Sequence, residues 1–307
     1  MGAPGCPQSP TVRRCPAPLL YAPGTGARGG VAWRRRRPRC LCKLHAFPHQ
    51  DRAVNGSQAY RALILAAGQG SRLFPLTEDL PKCLLDLAGK SMLEWQLAGL
   101  AAAGVRQATV VTGFRADLVE AALRDITPEA MNVQTLFNPF YKVADNLASC
   151  WLARAALAGP SLILNGDTLF EPAIARQLLA APEAPITVTI DRKARYDDDD
   201  MKVTTAGDHL RAIGKKLPRE TVNGESIGFL RFNAAGAATF VAELERTMRT
   251  LDGTSLWYLS AINRLAGEGV DVRCASIEGL QWAELDYLSD LERCRQLATG
   301  WVEAQPR

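Results

Sequence analysis

Two cations and two aspartates in this chain stand where they could act together on a phosphate. The stretch Leu65-Ala66-Ala67-Gly68-Gln69-Gly70-Ser71-Arg72-Leu73 continues through Phe74-Pro75-Leu76-Thr77 to Pro81-Lys82. Small residues at Ala66, Ala67, Gly68 and Gly70 let backbone N–H groups approach triphosphate oxygens without obstruction by Cβ atoms. Arg72 and Lys82 would neutralise charge that grows on the α-phosphate and on departing pyrophosphate. Asp167 ends a strand read as buried, in Leu164-Asn165-Gly166-Asp167, and Asp286 closes Trp282-Ala283-Glu284-Leu285-Asp286. One or two carboxylates plus substrate phosphates are a common way to hold Mg²⁺, so the pair suits a shared magnesium.

Each feature alone has a plainer explanation. Gly68 and Gly70 could make an ordinary tight turn, Asp167 could follow a turn glycine, and Asp286 could cap the helix expected from Ser289. The joint pattern is harder to dismiss: a buried strand, Gly-x-Gly-x-Arg, Pro-Leu-Thr, Pro-Lys, then a capped helix. Two familiar phosphate loops are excluded. A dinucleotide fingerprint needs a third glycine at position 73, which is Leu73. A Walker A loop ending at Gly89-Lys90-Ser91 needs a glycine at position 84, which is Leu84. His209 is the one histidine beyond residue 50, and it is read as a turn residue. A hydrolase triad is therefore disfavoured, and an ionised phosphate or phosphonate nucleophile needs no base.

The elements that must position these groups alternate. Ala62–Leu65, Ala108–Thr112, Val133–Phe137 and Leu162–Leu164 read as strands. Ser91 to Ala103, Ala116–Asp125 and Asn146–Ala158 read as helices, the first opened by a Ser91/Glu94 capping box and stopped at Gly104. This predicts an α/β fold with a Rossmann-like, mostly parallel mixed sheet and helices on both faces. Ligands then bind beyond the carboxyl ends of the strands, where the glycine loop and Asp167 lie. From Ile186 the character shifts to Ile186–Asp191, Met201–Thr205, His209–Lys215 and Glu225–Phe232, read as an antiparallel extension over the acceptor. Helices Ala234–Thr250 and Trp257–Ala266, strand Asp271–Ser276 and a last helix from Ser289 complete the catalytic domain, placed at 59–300.

Residues 1–58 read differently. The first fifty carry nine of the chain's 36 Lys and Arg and none of its 32 acids, leaving 27 basic against 32 acidic residues beyond them. That Arg-, Pro- and Gly-rich segment lacks periodicity and is expected to be disordered: a transit peptide, a basic tail, or sequence upstream of the true start, the last fitting best. Since the basic excess ends there, no nucleic-acid partner is expected for the core. Cys83, Cys150, Cys274 and Cys294 are scattered without metal-site spacing and fit free thiols in a reducing cytoplasm. No apolar run is long enough to insert in a membrane.

The chain resembles the nucleotidyltransferase superfamily over about residues 60–298, most densely over 61–97. Within it, the likeness is to bacterial choline-phosphate and 2-aminoethylphosphonate cytidylyltransferases. The resemblance implies that Arg72 contacts the triphosphate, that Lys82 bridges nucleotide and acceptor phosphates, and that Gln96 reaches the base. It also implies that Asp167 and Asp286 bind Mg²⁺. The Glu-Lys-Pro and Asn-Ala-Gly-Ile-Tyr runs that hold sugar hydroxyls in relatives are replaced by Gly214-Lys215-Lys216-Leu217 and Glu225-Ser226-Ile227-Gly228-Phe229. Tyr141 to Ser149 looks like the Tyr…Asn-Asn…Ser stretch of the cytidylyltransferases. The expected substrates are CTP and a small phospho- or phosphono-acceptor bearing an amine. Lys202 and Lys82 are candidates for the acceptor's anion; Asp145, Glu225, Asp198, Asp200, Tyr141, Trp257 and Trp282 are candidates for its amine. A sugar-1-phosphate nucleotidylyltransferase and a non-catalytic assembly relative are the alternatives, and homo-oligomerisation is left open.

Overall fold

The computed structural model describes residues 59–304, and the segment 1–58 lies outside the described residues. The chain enters through β1 (Arg61–Leu65), a turn of 3₁₀ helix at Ser71–Leu73, and the small hairpin β2 (Asp86–Leu87) and β3 (Lys90–Ser91). Then come α1 (Met92–Ala102), β4 (Gln107–Thr112), α2 (Ala116–Ile126), β5 (Asn132–Phe137), α3 (Asn146–Leu152) and β6 (Ser161–Asn165). β7 (Thr168–Phe170), α4 (Pro172–Ala180), β8 (Ile186–Asp191), β9 (Lys202–Ala206), β10 (His209–Gly214) and β11 (Gly224–Phe232) follow. α5 (Ala234–Thr247), α6 (Tyr258–Gly267), β12 (Val272–Ser276), β13 (Trp282–Glu284) and α7 (Leu288–Glu303) complete the order.

Nine strands form one sheet in the order β5-β4-β1-β6-β11-β8-β12-β10-β9. β1 pairs parallel with β4 and β6, and β4 with β5. β11 runs antiparallel between β6 and β8, and its first residues also pair with β9. The extension expected after Ile186 is therefore continuous with the parallel half.

β1 is apolar on both faces because both are covered, as a central parallel strand requires. Leu63 packs with Leu147 and Cys150 of α3, Phe240 and Leu244 of α5, and Ile262 of α6. Ala62 and Ile64 turn the other way, toward Leu93 and Leu97 of α1, Val119 of α2 and Ile174 of α4. Truncating a side chain as buried as Leu63 to alanine would cost about 2–5 kcal/mol. A third cluster seats Leu291, Cys294 and Ala298 of α7 on Leu73, Leu87, Trp95 and Leu285, which fixes the chain end that carries Asp286.

Three local readings change. The helix expected over 146–158 ends at Leu152, and a 3₁₀ turn at Arg154–Leu157 directs Leu157 into the core. His209 opens β10 rather than sitting in a turn, its Nδ1 3.1 Å from Asp271. α4 was not anticipated, although Pro172 at its first turn and the apolar spacing Ile174, Ala175, Leu178 mark it. No helix among the described residues is long and apolar enough to cross a membrane.

Candidate active site

β1, β4 and β6 end on one side of the sheet, and the loop after β1 is shaped there by glycine. Gly70 has φ 78°, and a Cβ on it would meet the Lys82 Cβ at 2.9 Å. Thr77 Oγ1 donates to the Gly70 carbonyl at 2.7 Å and Gln69 Nε2 to the Thr77 carbonyl at 3.3 Å, closing the loop on itself. A 3₁₀ turn rather than a helix follows at once, so this is not a dinucleotide loop. Beside it, Gly166 N–H donates to the Leu65 carbonyl at 3.0 Å. A Cβ on Gly166 would lie 2.5 Å from that oxygen, so only glycine lets the turn carrying Asp167 rest against the end of β1.

The two aspartates, far apart in sequence, are brought together by a two-stranded antiparallel ribbon. β13 pairs antiparallel with β7, setting Glu284 opposite Thr168, and Leu285 N–H donates to the Asp167 carbonyl at 3.0 Å. Lys82 Nζ lies between them, 2.6 Å from Asp167 Oδ2 and 2.9 Å from Asp286 Oδ1, and Arg72 lies 3.3 Å from Asp286. Asp286 is not the helix cap: Tyr287 holds that position in a capping box with Asp290, whose Oδ2 accepts the N–H groups of Asp286 and Tyr287. Glu284, two residues before Asp286, completes an acidic triad whose oxygens lie within 4.8 Å of one another.

Crowded charge perturbs these groups. Glu284 is exposed at the cavity wall, but desolvation of its carboxyl among crowded atoms, then the Asp167 and Asp286 carboxylates, push it up to about 8. Burial acts in the same direction on Asp286, but Lys82 and Arg72 outweigh it and hold Asp286 below the usual range. Burial works to lower Lys82, and the two aspartates overcome it, so its pKa is raised. Asp167 Oδ1 is buried with no hydrogen-bond partner among the described residues. An unpartnered carboxylate oxygen within a hard-oxygen triad is what an Mg²⁺ ligand set offers, so the residues fit that ion.

A cavity of about 400 Å³ connects these elements. Leu65, Ala66, Gly68, Gly70, Arg72, Lys82, Asp145, Asp167 and Asp286 all line it, as do Glu284, Asp199, Lys215 and Trp257. Four expected site residues do not. Ala67 is buried, its carbonyl accepting the Phe114 N–H. Gln96 is fully buried, and its Nε2 donates to the carbonyls of Asn165 (2.8 Å) and Thr168 (2.9 Å), so it braces the Asp167 turn instead of reaching a base. Lys202 and Glu225 are paired across β9 and β11 and buried. Their neighbours Met201 and Ser226 line the cavity. Side chains alternate along a strand, so the one-residue offset sends both charged groups to the other face. Glu225 meets Lys193 at 2.7 Å, and burial pushes it up to about 7 against that cation. Of the other amine candidates, Trp282 donates to Asp191 and Tyr141 packs on Phe114.

Three charged lining residues escaped the sequence reading. Glu284 carried a signal, since i and i+2 share a face of a strand, as Glu284 and Asp286 nearly do. Lys215, with Nζ 5.0 Å from the Trp257 ring centroid, and Asp199, accepting from Tyr287 Oη at 2.8 Å, depend on long-range placement.

Residues 61–211 match the family model described as nucleotidyl transferase. The chain belongs to the nucleotidyltransferase superfamily. Among similar curated proteins of this superfamily is the CMP-5'-(3-aminopropyl)phosphonate synthase of Streptomyces rubellomurinus, 32% identical over 75% of this chain and 37% of that protein. The CTP:phosphoglutamine cytidylyltransferase of Campylobacter jejuni is 24% identical over 75% of this chain and 97% of its own length. The N-acetylmuramate alpha-1-phosphate uridylyltransferase of Neisseria meningitidis is 37% identical over 36% of this chain and 47% of that protein. The chain thus spans little more than a third of the first relative and nearly all of the second. The inositol-1-phosphate CTP transferase of T. maritima has the same nucleotidyltransferase fold, with a TM-score of 0.67 at 20% identity over 81% of this chain and 98% of that one.

Proposed function

We propose that this nucleotidyltransferase is a magnesium-dependent cytidylyltransferase, moving CMP from CTP to a small phosphorylated or phosphonated acceptor that bears an amine. The observation that carries the reading is the composition of one cavity. The glycine loop, Arg72 and Lys82 face the acidic triad, and Asp145, Asp199, Lys215 and Trp257 line the same space. Anion-binding groups beside carboxylates and an aromatic ring suit a zwitterionic acceptor better than a polyhydroxyl sugar.

In the reaction an acceptor phosphate or phosphonate oxygen attacks the α-phosphorus of CTP. A P–O–P bond forms, the α–β P–O bond breaks, and pyrophosphate carries away the electron pair. Asp167, Asp286 and Glu284 would hold Mg²⁺, which when bound supplies charge neutralisation at the phosphates. The glycine-loop N–H groups orient the triphosphate, and Arg72 and Lys82 counter charge building on the leaving group. Lys215 replaces Lys202 as the lysine available to the acceptor's anion, and Asp145 and Asp199 stand ready for its amine.

The names of the Streptomyces and Campylobacter relatives both specify a cytidine nucleotide, and the first an aminoalkylphosphonate. The uridylyltransferase relative supports a second reading, a sugar-1-phosphate nucleotidylyltransferase. The two separate in kcat/KM measured for phosphocholine, 2-aminoethylphosphonate and glucose-1-phosphate with each of five NTPs. Each sugar hydroxyl left unpaired costs about 1–3 kcal/mol, so CTP with an amine-bearing acceptor should win by more than about a hundredfold. Glucose-1-phosphate with UTP or dTTP turned over best would overturn the proposal and leave the fold standing.

A further inference from the structure

Lys202 lies outside the cavity, yet its surroundings are those of a working group. It is 3% exposed, and its Nζ donates to three backbone carbonyls: Asp198 at 3.2 Å, Asp200 at 3.5 Å and Lys215 at 3.2 Å. Three acceptors match the three N–H bonds of a lysine ammonium. The carbonyls belong to two segments that are separate in sequence, the 192–201 loop before β9 and the exit of β10. Each contributes a charged side chain to the cavity. Asp199 is flanked by two of the tied carbonyls, and Lys215 bears the third. Asp199 then accepts from Tyr287 Oη, and the Tyr287 ring lies 5.1 Å from the Arg72 guanidinium, so contacts run from Lys202 to the nucleotide-binding arginine. The loop's Asp198–Arg219 pair is exposed on both sides, and such pairs hold little. Lys193 ties the start of the loop to Glu225 and Asp200, but Lys202 alone of these two joins it to Lys215.

We propose that Lys202 is a positioning residue, fixing Asp199 and Lys215 at the acceptor part of the cavity through backbone carbonyls. It touches no substrate. A neutral side chain of similar length leaves the Asp198 and Lys215 carbonyls without their side-chain donor, while Asp200 keeps its bond from the Lys202 backbone N–H at 3.0 Å, and the loop and Lys215 lose their common anchor. The catalytic consequence rests on the cytidylyltransferase reading; the mechanical one does not.

The test is Lys202→Met in the full chain, with Lys202→Arg as the conservative control and Lys202→Gln should the Met variant fail to fold. Limited trypsin digestion reads the loop, which offers Arg192, Lys193 and Arg195. Cleavage there should accelerate at least tenfold in Lys202→Met and return toward wild type in Lys202→Arg, with the cooperative thermal transition kept. In turnover of CTP with 2-aminoethylphosphonate, KM for the phosphonate should rise at least tenfold while KM for CTP stays within twofold. Unchanged loop cleavage overturns the proposal whether or not the protein uses these substrates. So does an equal rise in both KM values, which marks general damage. Where wild type is inactive with both 2-aminoethylphosphonate and phosphocholine, the cytidylyltransferase reading fails, and the cleavage pattern alone then decides the role of Lys202.

Discussion

Replacing Lys82 with methionine removes the charge that separates Asp167 from Asp286 while keeping most of the side chain's bulk. In the native site Nζ lies 2.6 Å and 2.9 Å from the two carboxylates, within a triad whose oxygens are within 4.8 Å. Two carboxylates at that separation repel by about 3 kcal/mol at an effective dielectric constant of about 20. Glu284 limits the damage, because the two aspartates raise its pKa and the loss of Lys82, which lowers it, raises it further, so its carboxyl adds less repulsion than the Asp167–Asp286 pair. Side-chain exposures of 15–22% admit some solvent screening, so the net loss should be about 2–4 kcal/mol. For a domain of this size that lowers Tm by roughly 4–16 °C. The assay is thermal unfolding at pH 7 in a chelating buffer, repeated with excess Mg²⁺. Mg²⁺ should raise Tm at least about twofold more in Lys82→Met than in wild type, because the carboxylates no longer share a lysine. The deficit without Mg²⁺ should widen above pH 8 as Glu284 ionises. A variant within 2 °C of wild type, or equal Mg²⁺ shifts in the two proteins, would refute this account of the cluster.

Three further outcomes are expected. Asp167→Asn and Asp286→Asn should each lower kcat by at least about a hundredfold with Tm near wild type, checked by pyrophosphate release and calorimetry. Glu225 has a folded pKa raised from 4.5 to about 7, so its contribution to stability is complete below the unfolded value and lost as pH rises through 7. Glu225→Gln should therefore flatten the decline in unfolding free energy between pH 4.5 and 7, and denaturant titrations showing parallel curves for the two proteins would contradict that. Gly166→Ala places a Cβ 2.5 Å from the Leu65 carbonyl and should cost about 2 kcal/mol or more while displacing Asp167, seen as joint losses in Tm and kcat.

What could be read from sequence was what local rules determine. The glycine loop, Arg72 and Lys82 lie within one short stretch after a buried strand, and Asp167 lies in the turn just after β6, whose Leu162–Leu164 run is unbroken, so spacing alone placed them on one side of the sheet. The parallel half and its helices followed from periodicity, with Ser91 Oγ accepting the Glu94 N–H at 3.2 Å as expected of a helix cap. The acceptor side was harder because it depends on register. Lys202 and Glu225 carry suitable charges, but side-chain alternation turns this directly opposed pair away and puts their neighbours Met201 and Ser226 in the cavity. Asp199 and Lys215 arrive through long-range contacts with Tyr287 and Trp257, which no local pattern encodes. Gln96 had the right helix and face, but two carbonyls at the Asp167 turn take its donors.

The most direct test of the whole account is product analysis with CTP, 2-aminoethylphosphonate and Mg²⁺. The account predicts equimolar pyrophosphate and a CMP–phosphonate conjugate, identified by mass. Formation should stop when Mg²⁺ is chelated and fall at least about a hundredfold in Asp167→Asn. No conjugate from CTP with either 2-aminoethylphosphonate or phosphocholine, beside turnover of a sugar-1-phosphate with another NTP, would contradict it.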